Sequence, residues 1–214
     1  MKKLNIFLAA CLTAIQASAQ TTVGDVWKAM PDSILPYFNS AARTEIIDVY
    51  KINKESKVKN LLGGESWIKD ITDRCLEIQL NKVTSLQMQL LPTTDSTNIV
   101  CMVKTYGTQQ KESEIKFYNT DWSKADGNFS LPDFSDRNRA LEMLTQKPDT
   151  ISEEKFKKLQ ALIEPAVVEA RLDNKGNGTI TFSISGLLLT KEEENELNCI
   201  KKQKSVKWDG KTFK

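Results

Sequence analysis

The chain contains no histidine. That removes Ser-His-Asp and Cys-His catalysis and every metal site that depends on imidazole. It has no CxxC pair, no phosphate-binding P-loop and no GxGxxG turn, so the common zinc, thiol-redox and nucleotide motifs are missing. No cofactor is expected. A hard-cation site of carboxylates and carbonyls stays open. Acid–base work would fall to Asp, Glu, Lys or Tyr. Long apolar runs are also scarce. The one candidate, Leu4 to Ile15, is shorter than the roughly 20 residues that cross a bilayer.

That short run has the order of an export signal. Lys2 and Lys3 precede it, and Ala17-Ser18-Ala19 follows it with the small-x-small pattern of a signal peptidase site. Cleavage after Ala19 leaves Gln20 first. The competing reading is a lipoprotein, because Leu8-Ala9-Ala10-Cys11 resembles the box in which the Cys is acylated. Only seven residues separate Lys3 from Cys11, and apolar residues continue beyond it, which favours simple secretion to the periplasm or the exterior.

Removing the leader takes two lysines and no acids, leaving 28 basic against 28 acidic residues. A neutral chain gives no global electrostatic reason to bind nucleic acid. Residues 201–214 carry six lysines against Asp209 alone and read as a solvated tail. Three cysteines remain, Cys75, Cys101 and Cys199. They are too few and too far apart for a disulfide scaffold and odd in number, so at least one thiol is free or intermolecular. They are expected to behave as small buried apolar groups. A Cys75–Cys101 bridge needs neighbouring strands facing the right way.

Periodicity changes along the chain. Residues 23–53 are helix-rich: a short turn at Asp25–Met30 stops at Pro31, and Asn39 or Ser40 caps a helix with Ile46, Ile47, Val49 and Tyr50 on its apolar face. Residues 57–119 alternate. Leu76, Ile78 and Leu80 form one run, Leu86, Met88 and Leu90 the next, separated by "LNKVT" and followed by "PTTDST"; this is an antiparallel meander. In Ile99 to Tyr106 both faces are apolar, with Ile99, Cys101 and Val103 opposite Val100, Met102 and Tyr106. That pattern predicts a central strand whose second side is covered by helices. Ile115 and Phe117 continue it. Residues 119–151 are rich in Asp, Asn, Ser and Pro, with one short helix around Asn138–Leu144. So long a loop is usually functional or mobile. Ser152 caps a helix carrying Phe156, Leu159, Leu162 and Ile163, ended by Pro165. Val168, Ala170 and Leu172 pair across "DNKGNG" with Ile180, Phe182 and Ile184 as a hairpin. Thr190 and Glu193 make a capping box, and Ser205–Trp208 returns as a last strand.

The predicted fold is therefore α+β: an antiparallel β-meander with N-terminal helices on one face, and a C-terminal helix–hairpin–helix portion with a closing strand. The predicted parts are a leader at 1–19, a helix-plus-meander portion at 20–119, a long loop with a short helix at 120–151, and the C-terminal portion at 152–214. Residues 20–214 form either one domain or two similar α+β modules.

Several residues invite functional readings. "DNKGNG" at 173–178 starts like a calcium loop, but Lys175 stands where an oxygen ligand is needed and Ile184 where a bidentate Glu should close the site. A hairpin turn accounts for its Asn and Gly. Of the tryptophans, Trp27 and Trp67 read as core. Trp122, beside Asp121 at the mouth of the long loop, is expected to fold back over the sheet end and anchor that loop; the competing role for Asp121 and Trp122 is a ligand surface. Asp95-Ser96-Thr97 belongs at an exposed turn. With Asp32-Ser33-Ile34 and Asp149-Thr150-Ile151 it shares the form of O-glycosylation triplets used by some exported proteins of gut anaerobes.

The order of several pieces resembles domain-of-unknown-function family 3256, a group of exported proteins from Gram-negative gut bacteria. The pieces are the leader, Met30-Pro31-Asp32-Ser33 followed by Leu35-Pro36, Arg43 with Ile47-Asp48, "LLPTTDS" at 90–96, and Ser113 through Phe117-Tyr118 to Trp122. The resemblance covers nearly all of the chain after the leader and is least distinct after about residue 150. It implies export and a shared fold and transfers no catalytic residue. Two function classes remain. One is a non-enzymatic envelope or periplasmic module that binds a protein, peptide or glycan through the sheet and the 119–151 loop. The other is a carboxylate-dependent hydrolase or lyase, with Asp48, Asp121 and Asp126 as its acids.

Overall fold

The computed structural model describes residues 21–186 and 189–214. The signal positions Cys11, Ala19 and Gln20 lie outside the described residues. The chain opens with α1 (Val23–Lys28), whose N-cap Thr22 forms a reciprocal capping box with Asp25. Next comes α2 (Ser40–Ile52), capped by Asn39. Six strands follow: β1 (Val58–Lys59), β2 (Glu65–Ile71), β3 (Cys75–Asn81), β4 (Thr84–Pro92), β5 (Asn98–Tyr106) and β6 (Glu112–Asn119). They form one antiparallel meander in sequence order. After α3 (Arg137–Leu144) and α4 (Glu153–Ala161), the strands β7 (Val168–Leu172), β8 (Thr179–Ile184) and β9 (Lys204–Lys207) make a second, three-stranded sheet. The helix α5 (Lys191–Asn198) lies between β8 and β9, opened by the Thr190–Glu193 capping box. Among the described residues no helix is long and apolar enough to cross a membrane.

A core lies on each face of the large sheet. On the first face Ile78, Leu80, Leu86, Met88, Val100 and Met102 pack against α1 and α2 through Val26, Trp27, Ile46 and Ile47. Arg43 is buried here too. It donates to the Phe38 carbonyl (2.8 Å) and to Asp32 (2.7 Å), holding the 30–39 segment down. On the second face Ile99, Cys101 and Val103 meet Ala170, Leu172, Ile180 and Phe182 of the small sheet, and the inner residues Leu144, Leu159 and Leu197 of α3, α4 and α5. The alternation predicted helices alone over this face. A three-stranded sheet shares the task, because a hairpin as apolar on one side as β7–β8 needs a cover of its own. The small sheet's other side, with Glu169, Arg171 and Ser205, is polar. The two portions are not repeats of one module: six meander strands stand against three.

The small sheet meets the large one through an edge. In β7 the Asp173 amide bonds Thr179 and the Val167 carbonyl accepts from Ser185, so odd residues turn their backbone groups to β8 and even ones turn theirs away from it. The outward groups of Leu172 are met by one side chain: its N–H donates to Gln87 Oε1 (3.0 Å) and its carbonyl accepts from Gln87 Nε2 (3.2 Å). Ser113 Oγ does the same for Ala170, accepting at 3.0 Å and donating at 3.3 Å. Gln89 Nε2 donates to the Asp173 carbonyl at 3.1 Å. Polar side chains on the large sheet thus take the place of a missing strand.

Three sequence expectations need correction. Residues 204–214 are not a loose tail: β9 pairs with β8, Phe213 is buried beside Trp208, and the Lys214 amide bonds the Lys207 carbonyl at 3.0 Å. The apolar pair Trp208 and Phe213 outweighs the surrounding lysines. Trp67 is not in the core. It is half-buried on the second face, with Lys57 Nζ 5.0 Å from its ring centre. The 120–136 stretch is irregular, with Trp122 and Ala125 both buried, the position expected of an anchoring Trp122. Cys75, Cys101 and Cys199 are all free thiols, and Cys199, expected to be buried, is exposed at the C-cap of α5. Burial pushes the thiol pKa of Cys75 and Cys101 upward, so both are inert groups of the interior.

Candidate functional site

Pairing registers define cross-strand rows on the second face. Trp67, Gln79, Ser85, Thr105 and Ser113 stand side by side on β2 to β6. The next row is Asp70, Glu77, Gln87, Val103 and Ile115, and the third is Cys75, Gln89, Cys101 and Phe117. Polarity falls from the first row to the third. The boundary runs where β7 lands on the sheet. A bulge between Ile68 and Asp70 helps set it, because it places Asp70 opposite Glu77 on the polar side.

The polar rows form the floor of a groove of about 260 Å³. Its floor carries Glu77, Gln79, Ser85, Gln87 and Thr105. The outward residues Glu169 and Arg171 of β7 make a wall, with Lys111 beside them. Lys69 stands on the β2 side, and the turns at Lys82-Val83 and Gly107-Thr108 close one end. Four cations line it against two carboxylates. Lys69 pairs with Glu77 at 3.4 Å and Lys111 with Glu169 at 3.4 Å. Lys82 and Arg171 have no ionic partner among the described residues. Gln87 is committed to Leu172, and Thr105 to Ser113 (2.8 Å). Gln79 spends its amide nitrogen on the carbonyls of Asn81 (2.7 Å) and Thr84 (3.1 Å). Its amide oxygen and the Ser85 hydroxyl have no hydrogen-bond partner among the described residues, and both residues line the groove.

The residues singled out in the sequence lie elsewhere. Trp122 is 6% exposed and packs against the Tyr118 ring, leaving no open ring face. Asp121 closes the 119–123 turn, accepting from the Ser123 hydroxyl (2.6 Å) and amide (2.9 Å). These bonds hold its carboxyl below the usual range, so it stays ionised. Asp126 is exposed just beyond that turn. Asp48 sits on α2, 3.9 Å from Lys51. None of Asp48, Asp121 and Asp126 lines the groove. Asp173 turns its carboxylate back on its own loop, accepting from the amides of Lys175, Asn177 and Thr179, as a hairpin turn does. Among the described residues no three acidic or cysteine side chains converge on a metal position. Ser33, Ser96 and Thr150 each lie exposed in a turn. Period-two reasoning missed the groove because Gln79, Ser85 and Gln87 look like any outward strand residues. Their alignment with Trp67 depends on register.

A solved structure, titled "Structure of a domain of an uncharacterized protein from Porphyromonas gingivalis W83", is similar over 89% of this chain and 96% of that one. The TM-score is 0.65 and the identity 18%, a likeness of fold alone. No curated protein matches the chain. The family described as "Protein of unknown function (DUF3256)" matches residues 14–213, nearly the full length, and the chain belongs to that family.

Proposed function

We propose that this is an exported, non-enzymatic binding module whose polar groove takes an acidic oligosaccharide. The observation that carries the reading is the lining: Lys82 and Arg171, with no ionic partner among the described residues, beside the oxygens of Gln79 and Ser85. Cations supply attraction for carboxylate or sulfate. Amide and hydroxyl groups supply hydrogen bonds to sugar hydroxyls. The hydrolase reading gains no support, since its three carboxylates stand apart from this lining.

Titration calorimetry tests the groove. Tri-galacturonate should bind, and neutral maltotriose should not. Binding should weaken as salt rises. Lys82→Glu with Arg171→Glu should abolish it without changing the melting temperature. Equal binding of both sugars, or of neither, defeats the reading. Export is supported by the leader at Lys2–Ala19 and is tested by intact mass. Protein recovered from the native envelope should begin at Gln20; an acylated start at Cys11 would replace secretion with membrane anchoring.

A further inference from the structure

On the far side of Ser113 from the polar groove lies a second cleft of about 620 Å³ between β6 and β7. Its lining is largely apolar: Ile115, Leu131, Phe134, Val168 and Phe182, with Glu112 the single charged member.

Main-chain accounting shows what it lacks. The Asn119 amide bonds the Ser123 carbonyl (2.9 Å), and the Phe117 carbonyl accepts from Ala125 (3.2 Å). Odd residues of β6 therefore turn their backbone away from β5. Ser113 and Ile115 share that parity, and among the described residues no main-chain partner meets either one. On β7 the outward groups of Ala170 and Leu172 are capped by Ser113 and Gln87, while those of Val168 meet no partner among the described residues. Unpaired N–H and C=O groups thus come from both strands that line the cleft. The open stretch has definite ends. Ala125 covers β6 at Phe117, and the Lys111 amide is taken by Ser185 Oγ.

We infer that the cleft binds an extended peptide by strand addition to β6 at Glu112–Lys116. Alternating donors and acceptors on one edge are met by another main chain in the β conformation. The apolar floor selects apolar side chains at every second position of that peptide. Glu112, with no cation lining the cleft beside it, selects a Lys or Arg. The occupant is therefore a short, apolar, singly basic β-strand. This goes beyond the oligosaccharide reading and stands on different residues.

Fluorescence anisotropy of the full chain with labelled Lys-Val-Thr-Val-Thr-Val tests the inference. The peptide should bind, and Glu in place of its Lys should weaken binding by about tenfold or more. N-methylation of one alternate set of residues should abolish binding, and methylation of the other set should leave it intact. Ile115→Pro removes an N–H that takes no part in the β5 ladder, a position where edge strands tolerate proline. It should lose binding while β5 amides keep their exchange protection. Phe134→Ala, which leaves the backbone alone, should also weaken binding, and tri-galacturonate titration should be unchanged by either variant. No binding by the wild type, or indifference to N-methylation, overturns the inference. So does a concentration-dependent dimer in sedimentation that Ile115→Pro dissolves, because the edge would then belong to a second copy.

Discussion

The indole nitrogen of Trp122 donates to the backbone carbonyl of Val26 at 2.9 Å, joining the end of the meander to the first helix across 96 residues. Trp122 itself has φ +69°, a left-handed conformation that is uncommon for a bulky residue. Its burial offsets that cost. Trp122→Ala should destabilise the protein by about 3–5 kcal/mol, seen as a lower melting temperature and faster proteolysis within residues 119–127. Trp122→Phe keeps most of the packing and leaves the Val26 carbonyl without its donor, costing about 1–3 kcal/mol. A Trp122→Ala variant with unchanged stability would contradict the anchoring role.

Gln87 serves both main-chain groups of Leu172. Gln87→Ala strands a buried N–H and C=O, so a loss of about 1–3 kcal/mol is expected. Amide exchange at Leu172 should accelerate more than at Ile180, which lies at the paired interior of the hairpin. Ser113→Ala should have the matching effect at Ala170.

The β4–β5 turn is pH-sensitive. The hydroxyls of Thr93 and Thr97, then the Thr97 amide, hold the Asp95 pKa down to about 2. A depressed carboxyl contributes stability above its unfolded pKa of about 3.9 and loses it as pH falls through the folded value. Amide protection across residues 93–97, measured against the intrinsic exchange rate at each pH, should therefore fall between about pH 4 and pH 2. Asp95→Asn should flatten that fall.

We expect residues 21–214 to unfold in one transition. Leu91, Ile99, Cys101 and Val103 of the large sheet share a core with α3, α4, α5 and the small sheet, so neither portion can open without exposing the other. The calorimetric enthalpy should equal the van't Hoff value. A chain ending at residue 151 should aggregate, because it exposes that apolar row.

Much of the fold was readable from local chemistry. Asn39, Ser152 and Thr190 are the helix caps the sequence indicated, because capping depends on neighbours within a turn. The runs through Leu76–Leu80, Leu86–Leu90 and Ile180–Ile184 became strands because alternation is a property of the segment. What covers each face is a long-range matter. Apolar residues at Ile99, Cys101 and Val103 demand a cover without saying whether it is helix or sheet. Trp67 was misplaced for the same reason: its neighbour Ile68 is buried, and only pairing with Gln79 shows that the indole points the other way. The grooves were hidden further still, since each needs β7, about 90 residues after β3 in the chain, to supply a wall.

The capping of β7 by Gln87 and Ser113 also orders assembly in time. A hairpin whose outer edge is completed by distant side chains is incomplete as an isolated piece. The meander has only short-range pairings, which close quickly. In a polypeptide released from its N-terminus, every strand of the meander exists before residue 168 appears. The large sheet can then act as a template, and the hairpin need never present bare main chain at Ala170 and Leu172 to another molecule, which is the usual route from a folding intermediate to an aggregate.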